Sequence, residues 1–233
     1  SDLLCSLYLM AGGAGEANLT ALFLTYNMLA FVTQPLSGMW TDKSGECRRP
    51  LLASAAFLSL AAIATASLAL NGYPQMGLYA VAILLGMGNS LFHAWGGRMV
   101  ARITANDTRA LGVFVATGAV GLTMGIVACS WMLLAVMLAA MAVLTYSALQ
   151  LTPQVQAAST REVPAHPAAE VPLPWLILLA LMLYVMFRSL VGEVLGSHIV
   201  KNPAMMLALA TTAATGKVLG GWMARHSRKW IIL

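Results

Sequence analysis

Four ionisable side chains stand where an apolar sequence can least easily carry them. Asp2 lies in "SDLLCSLYLM", His93 in "GMGNSLFHAWGGR", Arg188 in "LYVMFRSLVG" and Lys217 in "ALATTAATGKVLGG". A charged group at the centre of a hydrocarbon layer costs about 2.5–3.5 kcal/mol on insertion scales, so each is a candidate for moving a proton or holding a solute. Asp2 and Arg188 carry opposite charge and are expected to form an acid–base pair or two poles of one site. Ser6 lies one helical turn beyond Asp2, and Tyr184 one turn before Arg188. The plainer alternative has Arg188 pairing locally with backbone or water. Histidine as a residue type changes charge near neutrality, so His93 suits a proton relay. Its alternative is a tight helix seam, because Gly86, Asn89, Ser90 and Gly97 share its face. Lys217, near Thr211 and Thr215, is expected to face a cavity or an acid. Asn27 and Gln34 stand seven apart, hence on one helical face, where their amides suit a solute or a neighbouring helix. Glu193 is a secondary proton-coupling candidate, or a partner for Lys201.

A second group is compact. "SGMWTDKSGECRRPLL" (37–52) holds Gly38, Asp42, Lys43, Gly45, Arg48 and Arg49 between long apolar runs. Glycine permits a turn at a membrane edge. Lys43, Arg48 and Arg49 orient the chain against an anionic leaflet. Asp42, at a helix end, can accept hydrogen bonds from donors on a neighbour, and breaking them would open that side. Arg98 is expected either to reach for water or to pair with Asp42.

The elements that must position these residues follow from composition. The chain of 233 residues is 60% hydrophobic and only 9% charged, whereas a soluble domain is about a quarter charged. One soluble core could not hide that much apolar surface. Spanning a bilayer takes about 20 mostly apolar residues. Such runs cover 18–40, 50–71, 76–100, 109–129, 131–151, 173–197 and 203–224, with a shorter run at 1–12 and a last one from Trp230. The basic residues alternate between connections. Lys43, Arg48 and Arg49, then Arg102 and Arg109, then Arg161, then Arg225, Arg228 and Lys229 fall on one side, and Lys201 alone on the other. That is the positive-inside pattern for a cytoplasmic N-terminus. The net charge of +5 is therefore topological, and nucleic acid is not an expected partner. Cys5, Cys47 and Cys129 show no metal spacing and read as free thiols.

"TPQVQAASTREVPAHPAAEVPLP" (152–174) is rich in proline and polar residues and reads as a cytoplasmic linker. The expected organisation is a first membrane domain over 1–151, a linker over 152–173, and the start of a second membrane domain over 174–233. "GMWTDKSGECRRPLL" from Gly38 and "GWMARHSRKWIIL" from Gly221 align as a weak internal repeat. Each has a glycine near a helix end, a polar turn, basic residues and an apolar run. Parallel repeats are one way secondary transporters are built.

Residues 38–49 resemble the loop motif of the major facilitator superfamily, Gly-x-x-x-Asp-(Arg/Lys)-x-Gly followed by basic residues. "DLLCSLYL" (2–9), "GMGNSLFHAWGGR" (86–98), "FRSLVG" (187–192) and "GKVLGGW" (216–222) are similar to its fosmidomycin-resistance-like branch. The resemblance implies an all-α polytopic membrane protein. It would have a major facilitator-like bundle of a first six-helix domain, its first helix truncated, plus two helices and a stub of the second. It also implies translocation by alternating access, with the loop motif as a gate. "GAVGLTMG" (118–125) lacks the proline typical of the antiporter motif, so direction stays open. Gly118, Gly121 and Gly125 are expected to pack a neighbouring helix closely.

The expected function is secondary active transport of a small organic solute or drug, coupled to a proton or another ion, by a monomer in a bacterial inner membrane. Alternatives are a non-transporting scaffold or sensor, and an intramembrane enzyme. No Gly-rich Lys-Ser/Thr loop, Gly-x-Ser-x-Gly elbow or His-Glu-x-x-His pair occurs in the sequence. Neither enzymatic activity nor a cofactor is expected.

Overall fold

The computed structural model describes residues 16–43, 48–71, 75–105, 107–127 and 202–226, with scattered helical positions between 132 and 150 and between 176 and 187. Among the described residues the fold is helical and contains no strand. The elements are α1 (Glu16–Asn27), a π-turn (Met28–Val32), α2 (Gln34–Lys43), α3 (Arg48–Asn71), α4 (Gln75–Ile103), α5 (Thr108–Val127) and α6 (Pro203–His226).

Helices α3, α4 and α5 contain the stretches Arg49–Leu68, Gln75–Ile103 and Thr108–Gly125, each long and apolar enough to cross a membrane. The apolar run 18–40 is expected as one span, and the structure divides it. Pro35 has no N–H for the carbonyl four residues back, and its ring crowds that carbonyl. The chain responds with the π-turn and a turn residue at Thr33, then restarts at Gln34, so that Pro35 sits in a first turn where its missing donor is tolerated. Helix α6 has spanning length but is diluted by Lys217 and three threonines. The runs 131–151 and 173–197 fall mostly outside the described residues, although Leu138 and Met141 pack on the core.

Two caps set helix starts. Asp107 Oδ1 accepts the Arg109 N–H at 3.0 Å and begins α5. Asn202 Oδ1 accepts the Ala204 N–H at 3.0 Å and begins α6, with Pro203 in the first turn as its position suggests. Between α4 and α5 the backbone reverses through Ala105, whose φ of 51° is left-handed.

Helix α4 is the hub, and half of its apolar window is buried, against 12% for that of α5. Leu78, Val81, Ala82 and Leu85 of α4 meet Leu22 and Tyr26 of α1, Ala30 of the π-turn, and Leu58 and Ala61 of α3. In lipid no hydrophobic force drives helices together, so contact distance and side-chain size decide packing. Gly86 admits the backbone at Tyr26 and Ala30, Gly88 admits Leu58, and Gly96 admits the ring of Phe114.

The closest backbone crossing lies elsewhere, between antiparallel α5 and α6. A Cβ on Gly112 would stand 2.7 Å from the Lys217 carbonyl oxygen, and one on Gly221 would stand 2.5 Å from that of Thr108. This crossing precedes the Gly118, Gly121 and Gly125 stripe on which close packing is expected. Gly112→Ala must push backbone apart and should destabilise by about 1–3 kcal/mol. Gly216 has nothing within 4 Å, so Gly216→Ala should be neutral or stabilising by up to about 1 kcal/mol. Thermal unfolding of the two variants in detergent checks the contrast.

Candidate functional site

Polar groups on the described helices sort into those that satisfy themselves and those that bridge. Thr25, Thr65, Thr104, Thr123 and Thr212 each place Oγ1 within hydrogen-bond distance of a carbonyl four residues back in their own helix, leaving little for a site. Thr211, a sequence candidate beside Lys217, does the same towards Leu207. Asn27 also turns inward, its Nδ2 donating to the Phe23 carbonyl at 3.0 Å.

Three hydroxyls bridge instead. Thr33 Oγ1 donates to the Leu29 carbonyl and also lies 2.8 Å from Ser90 Oγ, and Ser90 Oγ lies 2.8 Å from Ser37 Oγ. They join the turn after the π-segment, α2 and α4 in one chain. Gln34 opens α2 beside this cluster, half-buried. The π-turn between Asn27 and Gln34 means that their spacing of seven residues no longer returns to one α-helical face. The shared face expected of them assumed an unbroken helix.

One turn beyond Ser90 on α4, His93 is enclosed by aromatic rings from three segments. Ring centroids lie 6.5 Å away for Phe31, 5.9 Å for Phe92 and 5.6 Å for Phe114. The last two meet the imidazole edge-on, an arrangement favoured by the ring quadrupole. Gly96 makes room for Phe114. A helix seam and a titratable group thus coincide at His93.

The same strip of α4 carries an anomaly. Asn89 is fully buried, and neither Nδ2 nor Oδ1 has a hydrogen-bond partner among the described residues; Trp95 Nε1 is likewise buried without one. A buried amide without partners costs about 2–7 kcal/mol depending on the reference medium.

At the end of α2, Arg98 of α4 donates to the Thr41 carbonyl and lies 3.3 Å from Asp42 Oδ1. A cation at a helix C-terminus meets freed carbonyls and the negative end of the dipole, and it offsets the unfavourable position of Asp42 there. Of the two expectations for Arg98, the geometry is the pair with Asp42. Asp42 remains 73% exposed, so the contact is readily broken. Lys43 and Arg49 are exposed, and Gly38 has nothing within 4 Å. Asp2, Gly45, Arg188, Glu193 and the Arg48 side chain lie outside the described residues, and with them the expected Asp2–Arg188 pair.

Lys217, Gly221 and Arg225 recur every fourth residue and form the face of α6 laid on α5. Lys217 Nζ donates to the Val115 carbonyl at 3.2 Å, where a cavity or an acid is expected from sequence. Thr108 Oγ1 donates to the Gly221 carbonyl at 2.8 Å, and Arg225 Nη1 reaches Asp107 Oδ2 at 2.8 Å. Asp107 also holds Arg109 Nη2 at 2.7 Å. Asp107, Gly112 and Phe114 are among the contributors that sequence reasoning missed. The "NDT" step before α5 is a capping signal that marks Asp107, whereas nothing local marks the other two.

The Asp107 carboxyl is held down from its ordinary 3.8 to about 2, first by the Arg109 side-chain bond, then by the Arg109 backbone N–H and the neighbouring positive charge. Its folded pKa lies below the unfolded one. The carboxylate therefore stabilises the fold fully above the ordinary value, and the contribution is lost as pH falls towards about 2. The melting-temperature gap between the native chain and Asp107→Asn should be constant near neutrality and shrink on acidification; a gap that widened in acid would contradict this. No family model, curated protein or solved structure matches the chain.

Proposed function

We propose that this chain serves secondary active transport, moving a small organic solute or drug across a membrane by alternating access with a proton or another ion as the coupled partner. The observation that carries the reading is the seam between α5 and α6. These helices flank the proline-rich stretch 152–174 and meet antiparallel through a glycine crossing. The Asp107–Arg225 bridge fastens one end. Two helical units that touch through small residues and a partly exposed ion pair can separate at that end at small cost.

Further support comes from the resemblance of residues 38–49 to the major facilitator loop motif and from the Asp42–Arg98 contact beside it. In this reading both ion pairs close the cytoplasmic side of a multi-pass protein of the bacterial inner membrane. His93 takes part in proton coupling, and Asp2 and Arg188 are poles of the solute site. Three helices of spanning length and apolarity are compatible with the setting. Lys43, Arg48, Arg49, Arg102, Arg109 and Arg225 hold the inward side.

Sidedness is checked by labelling Lys43→Cys and Tyr73→Cys in a chain whose own cysteines are replaced by serine. The two should react from opposite faces, and reaction from the same face would overturn the topology. Function is checked by solute-dependent proton flux in proteoliposomes across a panel of organic solutes. Arg188→Ala and His93→Ala should abolish the coupled flux. Asp42→Asn should change its rate by about fivefold, the effect of losing a contact worth about 1 kcal/mol, while insertion stays intact. Flux that ignores all three substitutions would refute the assignment.

A further inference from the structure

The amide of Asn89 lies at the meeting point of the polar groups on α4. Ser90, the next residue, is joined to Thr33 and Ser37 at 2.8 Å each. His93, one turn on, is ringed by Phe31, Phe92 and Phe114. One turn before Asn89, Leu85 belongs to the apolar core. Asn89 itself has zero exposure, and both polar atoms of its side chain lack partners among the described residues. Buried amides in folded proteins almost always bond to something, so each exception asks for an explanation. A carboxamide offers two donor hydrogens and a two-fold acceptor. What it can hold is a group that both gives and accepts hydrogen bonds.

The geometry points to Asn89 as the anchor of a second, water-accessible binding position on α4, beside the His93 aromatic cluster, that takes a neutral donor–acceptor group such as a hydroxyl or an amide. Once α4 parts from a neighbour, the group comes from water or, in turnover, from the carried solute; the solute part rests on the transport reading above. No carboxylate and no lysine or arginine is adjacent to Asn89 on α4, where the nearest ionisable side chain in sequence is His93. A carboxamide binds an anion or a cation through one of its two polar ends only, so a neutral group that uses both is the better match. The rings of Phe92 and Phe114 offer the rest of such a solute an apolar surface. Access requires α4 to part from a neighbour, and the hydroxyl chain to Thr33 and Ser37 spans the joint that would move.

The test places Cys at position 89 in the full chain, with Cys5, Cys47 and Cys129 replaced by serine, reconstituted in lipid vesicles. The probe is 2-aminoethyl methanethiosulfonate, which reacts with thiolates, so that only a hydrated cysteine labels quickly. Ala82→Cys and Leu85→Cys, both 1% exposed on the core side of α4, are the dry references. Ser90→Cys, a near-isosteric change, is the second reporter should Asn89→Cys misfold. Position 89 or 90 should label at least about tenfold faster than 82 and 85. Acetamide should slow labelling of Ser90→Cys, which keeps the Asn89 amide, and acetate, the charged near-isostere of acetamide, should not. Labelling as slow as at the references overturns the site, and protection by acetate in preference to acetamide overturns its neutral character. The experiment is independent of turnover. Coupled flux with inert reporters sinks this site and leaves transport standing, whereas fast reporters without flux leave the site standing and sink transport.

Discussion

Helix α4 does without a Cβ at five points, and most of the described structure depends on three of those gaps. Gly86 faces the backbone of the π-turn, Gly88 faces Leu58 of α3, and Gly96 faces the ring of Phe114 on α5. Three neighbours thus settle at distances that alanine would forbid. For helices apolar enough to cross a membrane, close approach matters more than in water, because apolar side chains gain nothing by leaving lipid for one another. Dispersion across a tight contact and hydrogen bonds between helices have to do what burial does in a soluble core. The Ser54 hydroxyl, donating to the Gly88 carbonyl at 2.8 Å, is one such bond, and the glycine at its acceptor permits it.

The polar residues of these apolar helices accordingly divide by reach. Threonines such as Thr25, Thr65 and Thr123, bonded to their own helix, lower the cost of being there. The longer or more central groups, Ser90, His93, Arg98, Lys217 and Arg225, each tie one helix to another. His93 meets the π-turn and α5, and the other ties lie on two seams, α2 with α4 and α5 with α6. Each seam has an exposed ion pair at one end and short hydroxyl contacts next to it. Such seams hold register while leaving the ends free to part.

How much of this was legible in the sequence depends on whether the cause was local. The runs 50–71, 76–100, 109–129 and 203–224 recur as α3 to α6 within a few residues, because apolar length, caps and Pro203 all act within a turn of themselves. The break in 18–40 had a visible cause in Pro35, yet its outcome was not foreseeable. The same proline can kink, shift or split a helix depending on what packs beside it, and here Gly86 accepts a bulged backbone. The Asp42–Arg98 pair could be anticipated, since short connections bring α2 and α4 together. The partners of Gly112, Phe114 and Lys217 could not be. Each is chosen by residues at least eighteen positions away in sequence, and for Gly112 and Lys217 across the proline-rich stretch, where no periodicity reaches.

Asp107 answers to two guanidinium groups at once, its own neighbour Arg109 and the distant Arg225. Were α6 to move away, the carboxylate would keep its resident companion and its bond to the Arg109 backbone N–H. Undocking would therefore strand no lone anion. Such a fastening can release and re-form many times without the large penalty that usually guards a single buried ion pair.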